Sequence, residues 1–303
     1  MILVTGGFGL IGSNIIRNLN KRGKNNIFVV DDLTDGRKYK NLVDCEFDEY
    51  FDKDTFFEHA ENLWDKITAI YHEGAISSTT EWDGKKVMES NYFFSDKLLA
   101  KAMEHKIPFS YASSASVYGG TLHFTENGPL DPMNMYAYSK MLFDRKIEKL
   151  VNTEWYQNSP YIIQGWRYFN VYGQGEDHKD GQASPITQFS KQAKETGKIK
   201  VFEGSEKFKR DFVCAEDIAL LKIEMLNRKV SGIFNAGTGN AISFMDVANM
   251  IARKVGAEIE TIPFPEHLKG HYQEFTQANM EKLSTIGNPI RMRRVQDYIN
   301  HNI

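Results

Sequence analysis

Tyr136 and Lys140 stand one helical turn apart in the run Tyr136-Ala137-Tyr138-Ser139-Lys140, which reads as the start of a helix. At that spacing the phenol and the ammonium lie one above the other and can serve a single site. A phenol ordinarily ionises near pH ~10, and a cation beside it favours phenolate and moves that value toward the working range of a general acid/base. The pair is then a proton-transfer device. The same spacing on a solvated helix carries no chemistry, so its meaning depends on what the rest of the chain brings to it.

The element suited to bring a redox cofactor lies at the start. Ile2-Leu3-Val4 is a short apolar run, followed by Thr5-Gly6-Gly7-Phe8-Gly9-Leu10-Ile11-Gly12 and then by apolar residues at helical spacing up to Leu19. The order is strand, glycine turn, helix. Gly6, Gly9 and Gly12 fall in a G-x-x-G-x-x-G register. Without side chains they permit a tight turn, close backbone approach to a pyrophosphate and close helix-to-strand packing. A second apolar run, Ile27-Phe28-Val29-Val30, ends at Asp31-Asp32, about 20 residues beyond the glycines, where an acidic side chain meets the adenosine ribose of such cofactors. The acid favours NAD, whereas Arg37 and Lys38 just behind it suit the 2′-phosphate of NADP, so both remain open.

Ala69-Ile70-Tyr71 forms a third run and leads into His72-Glu73-Gly74-Ala75-Ile76-Ser77-Ser78-Thr79-Thr80. Small residues after a parallel strand belong at the carboxyl edge, where cofactors lie. His72 and Glu73, as strand neighbours, point to opposite faces and make no acid/base pair. None of the eight histidines forms a ligand cluster, the His267/His271 pair reads as surface loop, and no metal site is expected. Asn91 to Met103 reads as helix, and Ile107 to Ala112 as a strand running into Ser113-Ser114-Ala115-Ser116-Val117-Tyr118-Gly119. Hydroxyls at a strand's carboxyl end can bond a sugar hydroxyl, or simply cap a turn.

In the second half, Tyr161-Ile162-Ile163 reads as a strand, and Arg167 to Gly173 leads away from the sheet into a lobe richer in glycine, lysine and loops. Phe202-Glu203-Gly204-Ser205, followed by Lys207, Lys209 and Arg210, would bring cations to a diphosphate, Arg210 best of all because its planar fork binds phosphate oxygens in pairs. Asp217 suits a helix N-terminus, and Ser243 caps the helix that follows it.

Composition narrows the partners. The 303 residues suit one large α/β domain with a smaller appended lobe. Thirty-seven basic against 40 acidic residues, a net charge of -3, leave no basic excess for nucleic acid. Cys45 and Cys214, the only cysteines, lie far apart and suit a reducing compartment. The opening residues lack a basic leader, and no apolar run approaches the ~20 residues of a membrane span. The expectation is a soluble, cytoplasmic protein without a membrane partner.

Thr5 to Gly12, Ser113 to Gly119 and Tyr136 to Lys140, in that order, resemble the extended short-chain dehydrogenase/reductase superfamily, the nucleotide-sugar epimerases and dehydratases. The resemblance implies that Tyr136 is the acid/base, that Lys140 holds the nicotinamide ribose and lowers the Tyr136 pKa, and that Ser114 polarises the reacting hydroxyl, with Ser116 a second hydroxyl contact. Dehydratases of the superfamily carry Asp-Glu where this chain has Ala115-Ser116, which argues for an epimerase or simple oxidoreductase.

Further stretches resemble the ADP-L-glycero-D-manno-heptose 6-epimerase branch: His72 to Ala75, Ser77 to Gly84, Arg167 to Gly173, Phe202 to Glu206 and Lys269 to Gln273. That resemblance spans nearly the full chain. It implies a second catalytic lysine, Lys179, in Glu176-Asp177-His178-Lys179, an ADP-heptose substrate on the route to lipopolysaccharide core precursors, and NADP with NAD as the alternative. Implied cofactor contacts are Gly6, Gly9, Leu10, Ile11, Gly12, Asp31, Asp32, Lys38, Lys53, Glu73, Gly74, Ala75, Ile76, Ser77, Asn91, Lys140, Val171 and Lys179. Implied substrate contacts are Ser114, Ser116, Asn170, Gly181, Gln188, Phe202, Glu203, Gly204, Ser205, Arg210 and Tyr272.

The expected fold is therefore α/β, a Rossmann-like doubly wound parallel sheet over residues 1–170 with 211–240 returning to it, and a smaller α/β substrate lobe from 171–210 and 241–303. The superfamily also implies a closed homo-oligomer, a pentamer-like ring in this branch. A UDP-hexose 4-epimerase or sugar reductase would keep the same Gly, Ser, Tyr and Lys constellation, and a cofactor-sensing binding protein would keep the fold without the chemistry.

Overall fold

The computed structural model describes residues 1–158, 161–265 and 273–303. Its first half runs β1 (Ile2–Thr5), α1 (Leu10–Asn20), β2 (Ile27–Asp31), β3 (Glu49–Asp52), α2 (Phe56–His59), β4 (Ala69–His72), α3 (Gly84–Met88), α4 (Phe94–Glu104), β5 (Phe109–Ser114), α5 (Met135–Val151), α6 (Glu154–Asn158) and β6 (Ile163–Tyr168). The second half continues with β7 (Asn170–Tyr172), α7 (Pro185–Thr196), β8 (Lys198–Phe202), β9 (Lys209–Cys214), α8 (Ala215–Asn227), β10 (Gly232–Ala236), β11 (Ala241–Ser243), α9 (Phe244–Val255), β12 (Glu258–Ile262), α10 (Glu281–Thr285) and α11 (Val295–Asn302).

Seven strands form one sheet in the order β10-β6-β5-β4-β1-β2-β3, every pair parallel. Its apolar residues alternate between two cores, as period-two side-chain geometry demands. Leu3, Phe28, Val30 and Ile70 pack with α4 and α5 residues such as Leu98, Leu99, Phe143 and Ile147. Val4, Ile27, Val29 and Tyr71 pack on the other face with Ile15, Ile16 and Leu19 of α1 and Ala219 and Ile223 of α8. This is the expected doubly wound α/β sheet. The strand order reverses between β1 and β4, and in such sheets ligands occupy the crevice outside the carboxyl ends at that point.

The chain leaves the main sheet at Phe169. Tyr168 still pairs in β6, whereas Asn170 opens β7 in a separate sheet of order β11-β9-β7. Of the stretch 211–240 expected to return to the main sheet, the first strand does not. That segment is β9, which pairs with β7 and β11, and the returning strand is β10. Strand β6 also begins at Ile163, later than expected, and helix α4 is entered through a single π turn, Glu89–Phe93.

A third sheet, β12-β8, belongs to the lobe, whose core gathers Ile186 and Phe189 of α7, Ile199 and Val201 of β8, and Val247 and Ile251 of α9. The C-terminal segment divides: Leu283 of α10 packs with Trp166 and Phe234 of the main sheet, Val295 and Ile299 of α11 with the lobe. Asp211 of β9 joins the two, accepting from the backbone N–H of Thr238 at 2.8 Å, Gly239 at 2.8 Å and Ala278 at 3.0 Å. Among the described residues no helix is long and apolar enough to cross a membrane.

Candidate active site

The glycine turn holds two chain segments closer than any side chain would allow. Gly6 has φ +65°, and a Cβ there would lie 2.5 Å from the backbone nitrogen of Gly74, the residue pair that marks the strand-order reversal. A Cβ on Gly12 would lie 2.2 Å from the Gly6 carbonyl oxygen. Helix α1 starts at Leu10, so Gly12 lies in its first turn, and its N-cap Gly9 has no side chain to cap it. Gly9, Leu10, Ile11 and Gly12 thus present bare backbone to a cavity of about 880 Å³, which is how helix N-termini receive phosphates.

At the adenosine end, Asp31 is buried and already engaged. Its Oδ2 accepts from Phe8 N at 2.8 Å; its Oδ1 accepts from Asp32 N at 2.7 Å and from Lys38 Nζ at 3.0 Å. Lys53 lies 3.8 Å from Asp32. The hydrogen bond with Thr34 holds the Asp32 carboxyl below its ordinary value. These residues wall a second cavity of about 550 Å³ that shares Gly6, Asp31, Lys38, Gly74 and Ala75 with the first and adds Ile76. Arg37 is not among them; its guanidinium pairs with Asp35 and Asp180.

Asn134 caps α5, accepting from Ala137 N at 2.9 Å, and so sets Tyr136 in the first turn and Lys140 in the second. Ser114 ends β5 and caps the next turn, accepting from Ser116 N at 3.1 Å. The cap holds the Ser114 hydroxyl where it lowers the pKa of the Tyr136 phenol. Ser116 therefore serves through its backbone, and its side chain is not on the cavity wall. Lys140 is buried and donates to the Ala112 carbonyl at 2.8 Å.

Ser114, Tyr136 and Lys140 share the larger cavity with the glycine turn. The expected lowering of the Tyr136 pKa is not what the protein alone produces: desolvation raises it, opposed by the Ser114 bond. Burial likewise pushes the Lys140 ammonium down to about 8, against the opposing fields of Glu73 and Asp144.

Lys179 reaches the same cavity from the other side of the chain's course, on the turn Asp177–Gln182. Glu176 pins that turn. Its buried carboxylate accepts from Gly173 N at 2.9 Å, Ser184 Oγ at 2.8 Å and Thr187 Oγ1 at 2.9 Å, tying the turn to the N-terminus of α7. Burial lowers the Lys179 ammonium, with Glu176 opposing. Gln188 works from behind, donating to the carbonyls of Gly181 at 3.0 Å and Ala183 at 2.6 Å.

Glu73, Gly74, Ala75, Ser77, Asn170, Val171 and Gly181 also line the larger cavity. Asn91 does not; buried, it braces the loop after β4 by accepting from Ile76 N at 2.8 Å and donating to Ile76 O at 3.0 Å. Phe202, Glu203, Gly204, Ser205 and Arg210 line neither cavity. The Arg210 guanidinium is buried against the Phe244 ring and donates to the Gln273 carbonyl. Tyr272, like His267 and His271, lies outside the described residues. His72 is a core residue, its ring bonded to Thr5 at 2.6 Å and Ser95 at 2.7 Å. Among the described residues no three acidic, His or Cys side chains group as metal ligands.

Sequence reasoning missed Tyr168 as a wall residue and Lys222 behind it. Their signal was present: Lys222 interrupts an apolar helical run, where an unpaired ammonium is not tolerated.

A doubly wound sheet whose glycine turn and Ser/Tyr/Lys cluster meet at one carboxyl-edge crevice defines a nicotinamide-dinucleotide type of fold. The family model for the NAD dependent epimerase/dehydratase family matches residues 2–237, and the chain belongs to that family. Among solved structures, ADP-L-glycero-D-manno-heptose-6-epimerase of Helicobacter pylori superposes with a TM-score of 0.87 at 28% identity, over 98% of this chain and 93% of that one. UDP-N-acetylglucosamine 4-epimerase of Methanobrevibacter ruminantium, in complex with UDP-N-acetylmuramic acid, gives 0.85 at 20% identity over 99% and 95%. UDP-glucose 4-epimerase of Thermus thermophilus, in complex with NAD, gives 0.78 at 24% identity over 99% and 96%.

Proposed function

We propose that the chain is an NADP-dependent epimerase that inverts C6 of ADP-D-glycero-D-manno-heptose by oxidation to a ketone and re-reduction on the opposite face. The observation that carries this is the meeting of two proton-transfer groups, Tyr136 and Lys179, in one cavity with Ser114 and Lys140. Inversion calls for two such groups because one does not readily serve both faces of a carbonyl. The 28% identity to the H. pylori heptose epimerase supports the sugar.

The bare glycine cradle fits a dinucleotide. A bound nicotinamide supplies reversible acceptance of the C6 hydrogen with its electron pair. Ser114 and Tyr136 hold the C6 hydroxyl, and Tyr136 or Lys179 removes its proton. Burial leaves Tyr136 a protonated acid, so its action as a base calls for a cation, and Lys140 on the same cavity wall is the one we assign to it. The lowered ammonium of Lys179 suits a group that must shed and regain a proton. Once the sugar end has turned over, the second of the two groups gives its own proton to the C6 oxygen, and exchange with solvent restores both groups. NADP is favoured because Asp31 is already engaged by two backbone N–H groups and Lys38, while Lys38 and Lys53 put cations on the adenosine-side wall.

Incubation with ADP-D-glycero-D-manno-heptose and, separately, with UDP-galactose decides the substrate. Inversion of the heptose alone is expected; turnover of UDP-galactose with none of the heptose makes the chain a hexose 4-epimerase. Identifying the nucleotide released on denaturation decides NADP against NAD. We further read the protein as a homo-oligomer, and sedimentation as a monomer at all concentrations overturns that.

A further inference from the structure

A second ionic cluster borders the cavity that Tyr136 and Lys140 line and has no part in the reaction proposed above. Lys222, in the middle of α8, is fully buried; its Nζ donates to Glu73 Oε1 and, at 2.8 Å, to the Tyr168 hydroxyl. Tyr168 in turn donates to Glu73 Oε2 at 2.8 Å, closing a triangle. Its corners come from three elements, the loop after β4, the end of β6 and α8. Glu73 and Tyr168 are on the wall of the cavity that Ser114, Tyr136 and Lys140 also line. For stability alone this arrangement is a poor choice, because apolar residues of similar volume replace a buried ion pair at no loss.

We propose that Glu73, clamped by Lys222 and Tyr168, is a positioning residue for charge: it sets the charge state of Lys140, and Lys222 tempers its field. The groups facing Lys140 leave Glu73 this task. Asp144, one turn on along α5, is committed to Tyr111, Ser113 and Arg167. His72 on β4 is kept neutral by burial. Of the fields acting on Lys140, that of Glu73 is the largest favouring the ammonium, Asp144 adds to it and Lys222 opposes it. The inference rests on the epimerase reading only in giving the Lys140 cation a task; the electrostatics belong to the protein itself.

The test reads Lys140 directly, by nuclear magnetic resonance of isotope-labelled lysine side chains titrated with pH, the Lys140 signal being assigned with Lys140→Arg. Glu73→Gln should lower the Lys140 pKa by about one unit, a tenfold loss of proton affinity. Lys222→Met should raise it, and the double variant should fall between Glu73→Gln and the parent. Shifts of the same sign in both single variants, or no shift in either, overturn the proposal. If a single variant fails to fold, the double variant, which removes both charges together, decides: a Lys140 pKa at or above the parent's overturns it. An active epimerase whose Lys140 ignores these substitutions sinks this inference alone, and the predicted shifts in a chain that inverts no heptose sink the epimerase reading alone.

Discussion

Asp144 and Arg167 form one fully buried ion pair, Glu73 and the buried Lys222 another, and the two differ in where their fields end. Arg167 Nε donates to Asp144 at 2.8 Å, and the remaining Asp144 valences go to Tyr111 at 2.8 Å and Ser113 at 2.9 Å. Arg167 Nη1 adds the Glu126 carbonyl at 2.9 Å and the Tyr118 hydroxyl at 3.2 Å. Neither Asp144 nor Arg167 lines either of the two cavities, and their charges are spent on joining β5, β6 and α5. The Glu73 cluster is equally dry but has one face on the cavity wall. A buried charge enclosed by protein can only organise protein; one that borders a cavity can also act on what enters it.

The comparison can be broken in several places. Tyr136→Phe, on the cavity side, should lower turnover by about 10²–10⁴-fold while leaving melting temperature and cofactor binding as they were. Turnover at the parent's rate removes Tyr136 from the mechanism. Arg167→Met, on the enclosed side, strands the Asp144 charge and should cost about 3–5 kcal/mol in denaturant unfolding. An unchanged midpoint would show that this pair does not organise the sheet.

A pH profile probes the cavity side more gently. With the Lys140 ammonium held down to about 8, turnover should decline as pH rises through about 8, approaching tenfold per unit. A profile flat through that range removes the Lys140 charge from the reaction. The sign for stability is opposite: between about 8 and the ordinary lysine range the unfolded chain binds the proton more tightly, so this group makes the fold more stable as pH rises there. The smallest effect is expected at the exposed pair of Arg37 and Asp180, which links the turn bearing Lys179 to the loop after β2. Asp180→Asn keeps a residue tolerant of its φ of 47° and should leave the melting temperature unchanged within error. A clear fall would mean that this solvated contact holds the turn.

Much of the site was legible because its signals are local. The glycine register, the apolar run ending at Asp31, and the helical spacing of Tyr136 and Lys140 are each read within a few residues. Less was legible where a residue's partner is distant. Arg210 reads as a phosphate ligand from its fork and its basic neighbours, yet folding turns that fork onto the Gln273 carbonyl. The start of the stretch 211–240 reads as a return to the main sheet because strand character says nothing of which sheet will accept the strand.

By itself, the sequence determined periodicity, caps and glycine positions, and through them the doubly wound fold and the cofactor cradle, since those depend on backbone freedom and alternation along the chain. Only tertiary structure decided how the charges pair. Glu73 meets Lys222 across a sequence separation of 149 positions. No spacing rule covers that distance. Burial makes the pairing obligatory, because an isolated ammonium inside α8 would not survive desolvation, and packing of α8 on the sheet selects Glu73 as its partner.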